Sequence, residues 1–281
     1  MINVLITGKG SYIGTHFKEL LQKYPDKYYV EELDVRDDSW KLFDFSKFDT
    51  IYHVAGIAHI KETEDNKQLY YKVNRDLAVE IAKNAKKQGV RKFIFMSSMS
   101  VYGLNVGVIN RDTKPKPTTN YGKSKYEAEI ELTKMVSDNF KVCIIRPPMV
   151  YGRGCKGNFQ SLMKIVKSSP VFPRVMNNRS MISIDNLSMF IKKIIDEDLN
   201  QTLFPQNKEY VSTMEIVKCI AEKTNKKIYF SYILGAMIYV GRMFIPTLQK
   251  AFGNLIYKDT EVFNYDYCIT SNVESIKNSV E

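Results

Sequence analysis

The order of apolar and amphipathic segments predicts an α/β fold, with a doubly wound parallel sheet followed by a smaller C-terminal lobe. Three observations support this: apolar strands alternate with amphipathic helices, a glycine-rich turn joins the first strand to the first helix, and the alternation ends near residue 150. Strands joined through helices pair in parallel, and the crossover helices cover both faces of the sheet. We predict strands at 2–6, 28–33, 49–54, 91–97 and 140–146, and helices at 12–24, 66–88 and 120–138.

The turn after the first strand has the composition of a phosphate cradle. A glycine directly after the strand permits a tight turn, and a glycine in the first turn of the helix lets helix and strand pack closely. Backbone N–H groups at a helix start point outward, and the helix dipole favours an anion there. We therefore predict that the turn binds the pyrophosphate of a dinucleotide, through Gly8, Gly10, Ser11, Tyr12, Ile13 and Gly14.

Tyr121 and Lys125 are four residues apart at the start of the helix predicted over 120–138. Four residues is about one helical turn, so the phenol and the ammonium project from the same face. A tyrosine normally loses its proton near pH ~10, and a neighbouring cation favours the phenolate. The spacing therefore predicts that Lys125 lowers the pKa of Tyr121 toward the working pH of an acid–base catalyst.

These motifs and five others resemble the extended short-chain dehydrogenases/reductases, the family of nucleotide-sugar epimerases, dehydratases and 4-keto-sugar reductases. The turn of that family reads T-G-x-x-G-x-x-G; here Thr7, Gly8 and Gly14 match it, while Ser11 replaces the middle glycine and Gly10 lies one position early. The resemblance is colinear from residue 2 to about 190. The further matches are at 53–56, 73–74, 96–103, 146–152 and 179–186.

The resemblance implies a Rossmann fold and a catalytic triad of Ser98, Tyr121 and Lys125. Tyr121 would exchange a proton with a sugar oxygen, Ser98 would donate a hydrogen bond to the same oxygen, and Lys125 would also bind the nicotinamide ribose. Asn74 would have a structural role, fixing backbone near the site. The other residues implied to bind the cofactor are Val54, Ala55, Gly56 and Pro148, and those implied to bind the substrate diphosphate are Asn158 and Arg179.

Asp34 is the predicted determinant of cofactor choice. It follows Gly14 by about 20 residues, where a carboxylate accepts hydrogen bonds from the adenosine ribose and repels a 2′-phosphate. This favours NAD, although Arg36 nearby leaves NADP open. Whether the segment contacts the ribose or the adenine ring also stays open.

The resemblance leaves two reactions at C4 of a UDP- or dTDP-linked sugar, epimerisation and reduction of a 4-keto sugar, both suited to making surface-polysaccharide precursors. The short connection between Leu33 and Asp49 is more typical of the reductases. Dehydration is disfavoured because Met99 and Ser100 occupy the positions where dehydratases carry an acidic pair. A reductase of a non-sugar ketone and a non-catalytic dinucleotide sensor are the remaining alternatives.

We predict two domains: a dinucleotide-binding domain over 1–150 and a substrate lobe over 151–281, with residues near 179–196 returning to the first. Within the lobe, a helix at about 158–168 and helical spacing over 212–225 are expected. The apolar stretch at 233–249 is too short to span a bilayer. We predict a buried helix there, with peripheral contact with a membrane as the alternative. A homodimer through the helices at 66–88 and 120–138 is also expected.

Composition limits the partners. The chain has 281 residues and a formal charge of +10, but its lysines are spread over amphipathic helices, which argues against nucleic-acid binding and favours anionic substrates. Four unpaired-looking cysteines and the lack of an amino-terminal signal segment predict a reduced, cytoplasmic protein. The three histidines, His16, His53 and His59, have no metal-site spacing, so no metal is expected.

Overall fold

The structure is a computed structural model of the chain, and it describes residues 1–58 and 60–280. The chain divides into two compact units. The first unit contains 1–103, 114–147 and 188–205, and the second contains 104–113, 148–187 and 206–281. One boundary between the units lies near 147, and the division into a dinucleotide-binding domain and a substrate lobe stays a prediction. The returning segment is 188–205 rather than 179–196, and 104–113 belongs to the second unit because its strand pairs there.

The first unit is built on one parallel sheet. Its strands are β1 (Ile2–Thr7), β2 (Tyr28–Leu33), β3 (Thr50–His53), β4 (Lys92–Met96), β6 (Lys141–Ile145) and β10 (Thr202–Leu203). Among the described residues their order is β10-β6-β4-β3-β1-β2. The chain leaves β1 toward β2 on one side and later returns to β3 on the other. The strand order therefore reverses at β1, and this is where open α/β sheets bind ligands at the carboxyl ends of their strands.

The helices of this unit are α1 (Tyr12–Leu21), α2 (Lys67–Tyr71), α3 (Leu77–Lys87), α4 (Asn120–Thr133) and the C-terminal part of α6 (Ile184–Asp196). The predicted helix over 66–88 is interrupted by a π-helical turn at Lys72–Asp76. The short connection after β2 contains two 3₁₀ turns, which bury Trp40 and Phe45 in the apolar core beside Phe93. The predicted doubly wound fold is confirmed.

The second unit contains short strands and helices. They are β5 (Gly107–Ile109), β7 (Met149–Tyr151), α5 (Asn158–Ser168), β8 (Val171–Pro173), β9 (Met181–Ser183), α7 (Thr213–Lys223), β11 (Tyr229–Ser231), α8 (Tyr232–Gly241), α9 (Pro246–Phe252), β12 (Leu255–Tyr257) and α10 (Asn272–Asn278). The strands pair in parallel as β5–β12, β7–β9 and β8–β11. Buried Asn207 ties this unit together, since its amide donates to Tyr151 Oη at 3.0 Å and to Asn272 Oδ1 at 2.7 Å.

The prediction of a buried helix within 233–249 is wrong. Helix α8 forms, but Gly235 is its one buried residue, and α9 contains no buried residue. An apolar sequence of this length satisfies its backbone hydrogen bonds as a helix wherever it lies, so the composition alone did not decide which surface it meets. In the part of the chain that the structure describes, no helix combines the length and the apolar character needed to cross a membrane.

Candidate active site

The glycine turn lies at the point where the strand order reverses. Gly8 has a φ of +114°, and a Cβ there would be 2.8 Å from the backbone nitrogen of Ala55. At Gly14 a Cβ would be 2.6 Å from Ser11 Oγ and 3.0 Å from a methyl of Ile6. Both positions require glycine because the turn passes close to its neighbours, and neither position puts a side chain over the start of α1. This is the cradle expected for a pyrophosphate.

Ser11 is the N-cap residue of α1. Its hydroxyl oxygen accepts a hydrogen bond from the backbone N–H of Gly14 at 3.2 Å. The serine that replaces the middle glycine of the family pattern therefore satisfies one N–H of the helix start. Tyr12 and Ile13 form the first turn of α1 behind it.

Two acidic residues lie at the carboxyl end of β2. Asp34 is partly exposed, and both of its carboxylate oxygens accept from Arg36, which lowers the pKa of Asp34 to about 2. Glu32 accepts from Gly10 N at 3.2 Å and pairs with Lys18 at 2.8 Å. The sequence singled out Asp34, but Glu32 is the carboxylate bonded to the glycine turn. Its role was not predicted, although its place in the strand is visible in the sequence.

Strand β3, which pairs with β1, ends beside the glycine turn. Backbone N–H groups of Val54 and Ala55 both donate to Thr7 O, at 3.1 and 2.9 Å. His53 Nδ1 is 2.7 Å from Thr7 Oγ1 and its ring stacks on Phe93 and Phe95. Burial lowers the pKa of His53 to about 3, so this histidine is neutral and structural. Gly56 follows, held by the Asn74 amide, which bonds both the N–H and the carbonyl of Ile57.

Helix α4 carries Tyr121 at its N-terminus. Thr119 caps the helix by accepting from Gly122 N at 3.1 Å, and the Glu62 carboxylate accepts from the backbone N–H groups of Asn120 and Tyr121 at 2.9 and 3.1 Å. Gly122 lets the helix approach the turn that follows β4, because a Cβ there would be 2.6 Å from Ser100 O. Glu62 was not found from the sequence, where it stands 58 residues before the helix that it caps.

Ser98 and Tyr121 meet where the N-terminus of α4 approaches the turn that follows β4. Ser98 precedes a 3₁₀ turn, and its oxygen accepts from Ser100 N at 3.1 Å, which leaves its proton available for donation. Burial raises the pKa of Tyr121, and the hydrogen bond with Ser98 acts in the opposite direction. The raised pKa is opposite to the direction predicted from the helical spacing. Desolvation of the phenolate is the larger effect in the protein alone.

Lys125 points toward the sheet. Its ammonium donates to Met96 O at 2.7 Å and lies 4.7 Å above the ring of Phe95. Burial lowers the pKa of Lys125 from 10.5 to about 7, while the Glu129 carboxylate one turn further on raises it. The lysine thus changes its charge near neutral pH.

A buried ion pair lies behind this lysine. The guanidinium of Arg146 donates to both carboxylate oxygens of Glu129, at 3.0 and 2.6 Å, and to Tyr102 Oη at 2.7 Å. Ser97 Oγ also donates to Glu129. The Ser97 hydroxyl thus belongs to this buried network, whereas Ser98 caps the 3₁₀ turn after β4. Glu129 was missed because an acidic residue inside a helix carries no signal of burial.

Comparison with known proteins agrees with this geometry. The sequence pattern of the NAD dependent epimerase/dehydratase family matches residues 4–169. The chain is 32% identical to the UDP-glucose 4-epimerase of Vibrio cholerae, over 80% of this chain and 76% of that protein. The chain belongs to the NAD-dependent epimerase/dehydratase family. This confirms the resemblance, and with it NAD-dependent enzyme chemistry and NAD as the cofactor.

Two further relatives of this epimerase/dehydratase chain extend over almost all of it. The N-acetyl-alpha-D-glucosaminyl-diphospho-ditrans,octacis-undecaprenol 4-epimerase of Escherichia coli O157:H7 is 27% identical over 98% of this chain and 88% of its own length. The fold is similar to that of UDP-glucuronic acid 4-epimerase from Bacillus cereus in complex with NAD, with a TM-score of 0.76 and 20% identity over 99% of this chain and 97% of that one.

The residues at the glycine turn fit NAD. The close approach of Gly8 to Ala55 excludes a side chain at position 8, and a Cβ built on Gly10 meets no atom within 4 Å, so there is room beside the turn. Gly8, Gly10 and Ser11 would hold the pyrophosphate. Among residues 1–58 and 60–280 no cluster of side chains suited to a metal ion is found, and His59 lies outside the described residues.

Three of the predicted site residues lie in the second unit. Pro148 is buried directly before β7, and Asn158 is the exposed first residue of α5. Arg179 donates to Gly253 O at 3.0 Å, and burial lowers its pKa. Asn158 and Arg179 as diphosphate ligands, and Pro148 as a cofactor contact, stay predictions.

Proposed function

We propose that this protein is an NAD-dependent 4-epimerase that acts on a sugar joined to a diphosphate. The observation that carries the proposal is the meeting of Ser98 and Tyr121 at the N-terminus of α4, with Lys125 one turn further along the same helix. Relatives named as 4-epimerases support epimerisation over reduction. The absence of a carboxylate at Met99 and Ser100 continues to argue against dehydration.

The residues act in distinct roles. Tyr121 accepts the proton of the C4 hydroxyl and returns it when the hydroxyl is re-formed, while Ser98 donates to the same oxygen as charge develops there. Bound NAD would supply the redox chemistry, which is reversible removal of a hydride from C4 with its return to the opposite face of the sugar. Lys125 supplies a positive charge near the site when it is protonated, and the protonated fraction changes near neutral pH. A cationic lysine favours the phenolate form of Tyr121 and so opposes the effect of burial.

A nucleotide sugar is the first candidate substrate, because the Vibrio cholerae relative is named for UDP-glucose. A sugar on a polyprenyl diphosphate is the second, favoured by the Escherichia coli relative, which matches 98% of the chain. Both carry a diphosphate, which suits the net charge of +10. Either product would serve as a precursor of surface polysaccharide.

The first experiment measures cofactor retained by the protein. Protein purified without added nucleotide is denatured and the released NAD(H) is quantified against protein. Stoichiometric NAD supports the epimerase, which regenerates its cofactor in each turnover. Protein that is empty but binds reduced cofactor reversibly contradicts the epimerase and favours a keto-sugar reductase.

Tyr121→Phe tests the acid–base role. We expect turnover of a UDP-sugar to fall by about 10²–10⁴-fold, since the phenol exchanges the proton, with NAD binding unchanged. Tyr126→Phe, on the same helix, is the matched control and should keep its activity. Full activity of Tyr121→Phe would refute the assignment of Tyr121.

We also propose a cytoplasmic homodimer. Leu69 on α2 and Ile130 on α4 are exposed apolar residues on two helices that contact each other, which supports a helical dimer face. The four cysteines, Cys143, Cys155, Cys219 and Cys268, are free thiols, as suits a reducing compartment. Sedimentation of Ile130→Glu beside the unmodified protein tests the dimer, because a buried charge at this face should yield monomers.

A further inference from the structure

Helix α8 and the residues on either side of it, up to the start of α9, expose a large apolar surface. Phe244 and Ile233 are 78% and 76% exposed, and the exposed apolar side chains around them are Tyr229, Tyr232, Met237, Tyr239, Val240, Met243 and Ile245. We call these nine residues the α8–α9 face. Contiguous apolar surface of this kind is rare on a protein that meets only water, and it marks a site of contact with another apolar phase.

The helices are fixed to the unit in a way that presents this face outward. Gly235 packs on β8, where a Cβ would be 2.3 Å from the carbonyl oxygen of Arg174. Ser231 caps α8 by accepting from Leu234 N at 3.2 Å, and Pro246 begins α9. The face is therefore held by α8, which is capped by Ser231 and packed through Gly235, and by the turn that leads into α9.

The charged residues in and beside this segment of the chain have one sign. Between residues 223 and 258 the chain has six basic side chains and no acidic one. The six are Lys223, Lys226, Lys227, Arg242, Lys250 and Lys258. An apolar face bordered by cations is the pattern of a helix that lies in the headgroup region of an anionic bilayer.

Tyrosine and arginine are paired at this surface. The guanidinium of Arg242 lies 4.2 Å from the ring centre of Tyr239, and that of Arg174 lies 4.4 Å from the ring centre of Tyr232. Tyrosine rings favour the boundary between lipid and water, and long basic side chains bury their stems while their charges stay in water. Both pairs fit an interface that is apolar on one side and wet on the other.

We propose that the α8–α9 face docks this protein on the surface of an anionic lipid bilayer. The helices have 10 and 7 residues, too few to span it, so they would lie in its plane. A second copy of the chain is a poorer occupant. In a two-fold dimer the same patch meets itself, and the six cations would face six cations. An anionic surface neutralises them instead.

The docking proposal depends only on the α8–α9 face, whereas the purpose we give to the docking rests on the proposed function. A bilayer carries any sugar that is linked to a polyprenyl diphosphate. A protein held on that bilayer would search for such a substrate in two dimensions. The second candidate substrate is then the one that docking favours.

Co-sedimentation with lipid vesicles tests the proposal on the full chain. Vesicles of phosphatidylcholine are compared with vesicles that contain one-third phosphatidylglycerol. We expect binding to the anionic vesicles, and loss of at least tenfold in the variants Phe244→Glu and Ile233→Glu. The matched control is Leu42→Glu, which adds the same charge at a residue that is 93% exposed in the first unit. Its vesicle binding should equal that of the unmodified protein.

A second pair of variants tests the charges. Lys227→Gln and Lys250→Gln should each weaken binding to anionic vesicles by about fivefold, and added salt should reduce that difference. Lys47→Gln, whose side chain is 75% exposed, is the control. Absent binding to anionic vesicles, or an equal loss in the Leu42 and Lys47 controls, overturns the proposal. So does conversion of a dimer to a monomer by Phe244→Glu with vesicle binding retained.

Activity on a soluble UDP-sugar without vesicles separates the two proposals. The variants of the α8–α9 face should turn it over as the unmodified protein does. A protein that binds anionic vesicles but turns over no sugar contradicts the proposed function and leaves the docking intact. A protein that turns over the sugar but does not bind the vesicles contradicts the docking and leaves the proposed function intact.

Discussion

Replacing Lys125 by methionine should stabilise the protein near neutral pH while abolishing its activity. The side chain is 4% exposed, and burial lowers its pKa from 10.5 to about 7. A fall of that size corresponds to about 4–5 kcal/mol of preference for the neutral form in the folded state. Methionine fills nearly the same volume and has no charge to bury.

The gain at neutral pH is smaller than that figure. Lys125 donates to Met96 O at 2.7 Å, and its removal leaves a buried carbonyl without this donor, at a cost of about 1–3 kcal/mol. The contact with Phe95 is also lost. We therefore expect Lys125→Met to raise the free energy of unfolding by about 2 kcal/mol near pH 7.

The pH dependence is the sharper readout. Between the folded pKa of about 7 and the unfolded value of 10.5, the unfolded chain binds a proton that the folded chain does not. The stability of the unmodified protein should therefore rise with pH across this window, and fall again as the pH is lowered toward 7. From ~pH 7.5 to ~pH 9.5 it should gain about 2–3 kcal/mol relative to Lys125→Met.

Urea unfolding of both proteins at these two pH values measures the difference, and other titrating groups cancel in the comparison. Lys123→Met, an exposed lysine on the same helix, is the control and should show no such slope. Parallel stability–pH curves for the unmodified protein and Lys125→Met would refute the reasoning, because they would mean that Lys125 keeps an ordinary pKa in the folded protein.

Two further substitutions test the supports of the site. Glu129→Gln should destabilise the protein by about 3 kcal/mol in urea unfolding, because it leaves Arg146 buried without its carboxylate partner. The control is Glu131→Gln, at an exposed pair with Lys134, which should change stability by less than about 0.5 kcal/mol. Equal effects would contradict the buried pair. Gly8→Ala should lower the free energy of unfolding by about 1–3 kcal/mol and abolish NAD binding measured by calorimetry, since its Cβ meets Ala55. Gly10→Ala should lower the free energy of unfolding by about 1–2 kcal/mol through its φ of +73° alone, because a Cβ there has open space. A Gly8→Ala protein that binds NAD normally would exclude this turn as the cradle.

The first unit was readable from the sequence because its signals are local. Strand, glycine turn and helix follow one another within 1–21, and Tyr121 and Lys125 lie one helical turn apart. The carboxylates that support the site are distant in sequence. Glu62 caps a helix 58 residues later, and Glu129 meets Arg146 across 17 residues. No spacing rule reaches such pairs, because they depend on which faces the fold brings together.

The second unit was harder to predict for a physical reason. Apolar periodicity reports that a segment avoids water but does not say what it meets instead. The stretch at 233–249 was assigned to the interior on its apolar content, yet its exposed side chains include Phe244 and Ile233. The absence of acidic residues from 223 to 258 is a separate signal, one that a buried helix would not need.

Glu129 and Lys125 are coupled electrostatically, so replacing Glu129 should change the pKa of Lys125 in a definite direction. The Glu129 carboxylate raises the pKa of Lys125 against the effect of burial. Glu129→Gln should therefore lower the pKa of Lys125 further and leave the lysine neutral at pH 7. With less positive charge one turn from Tyr121 near pH 7, the phenolate is less favoured there, so kcat near pH 7 should fall relative to kcat at higher pH, where Lys125 is neutral in both proteins. A variant destabilised by urea but with an unmoved pH–rate profile would show that Glu129 supports the fold alone.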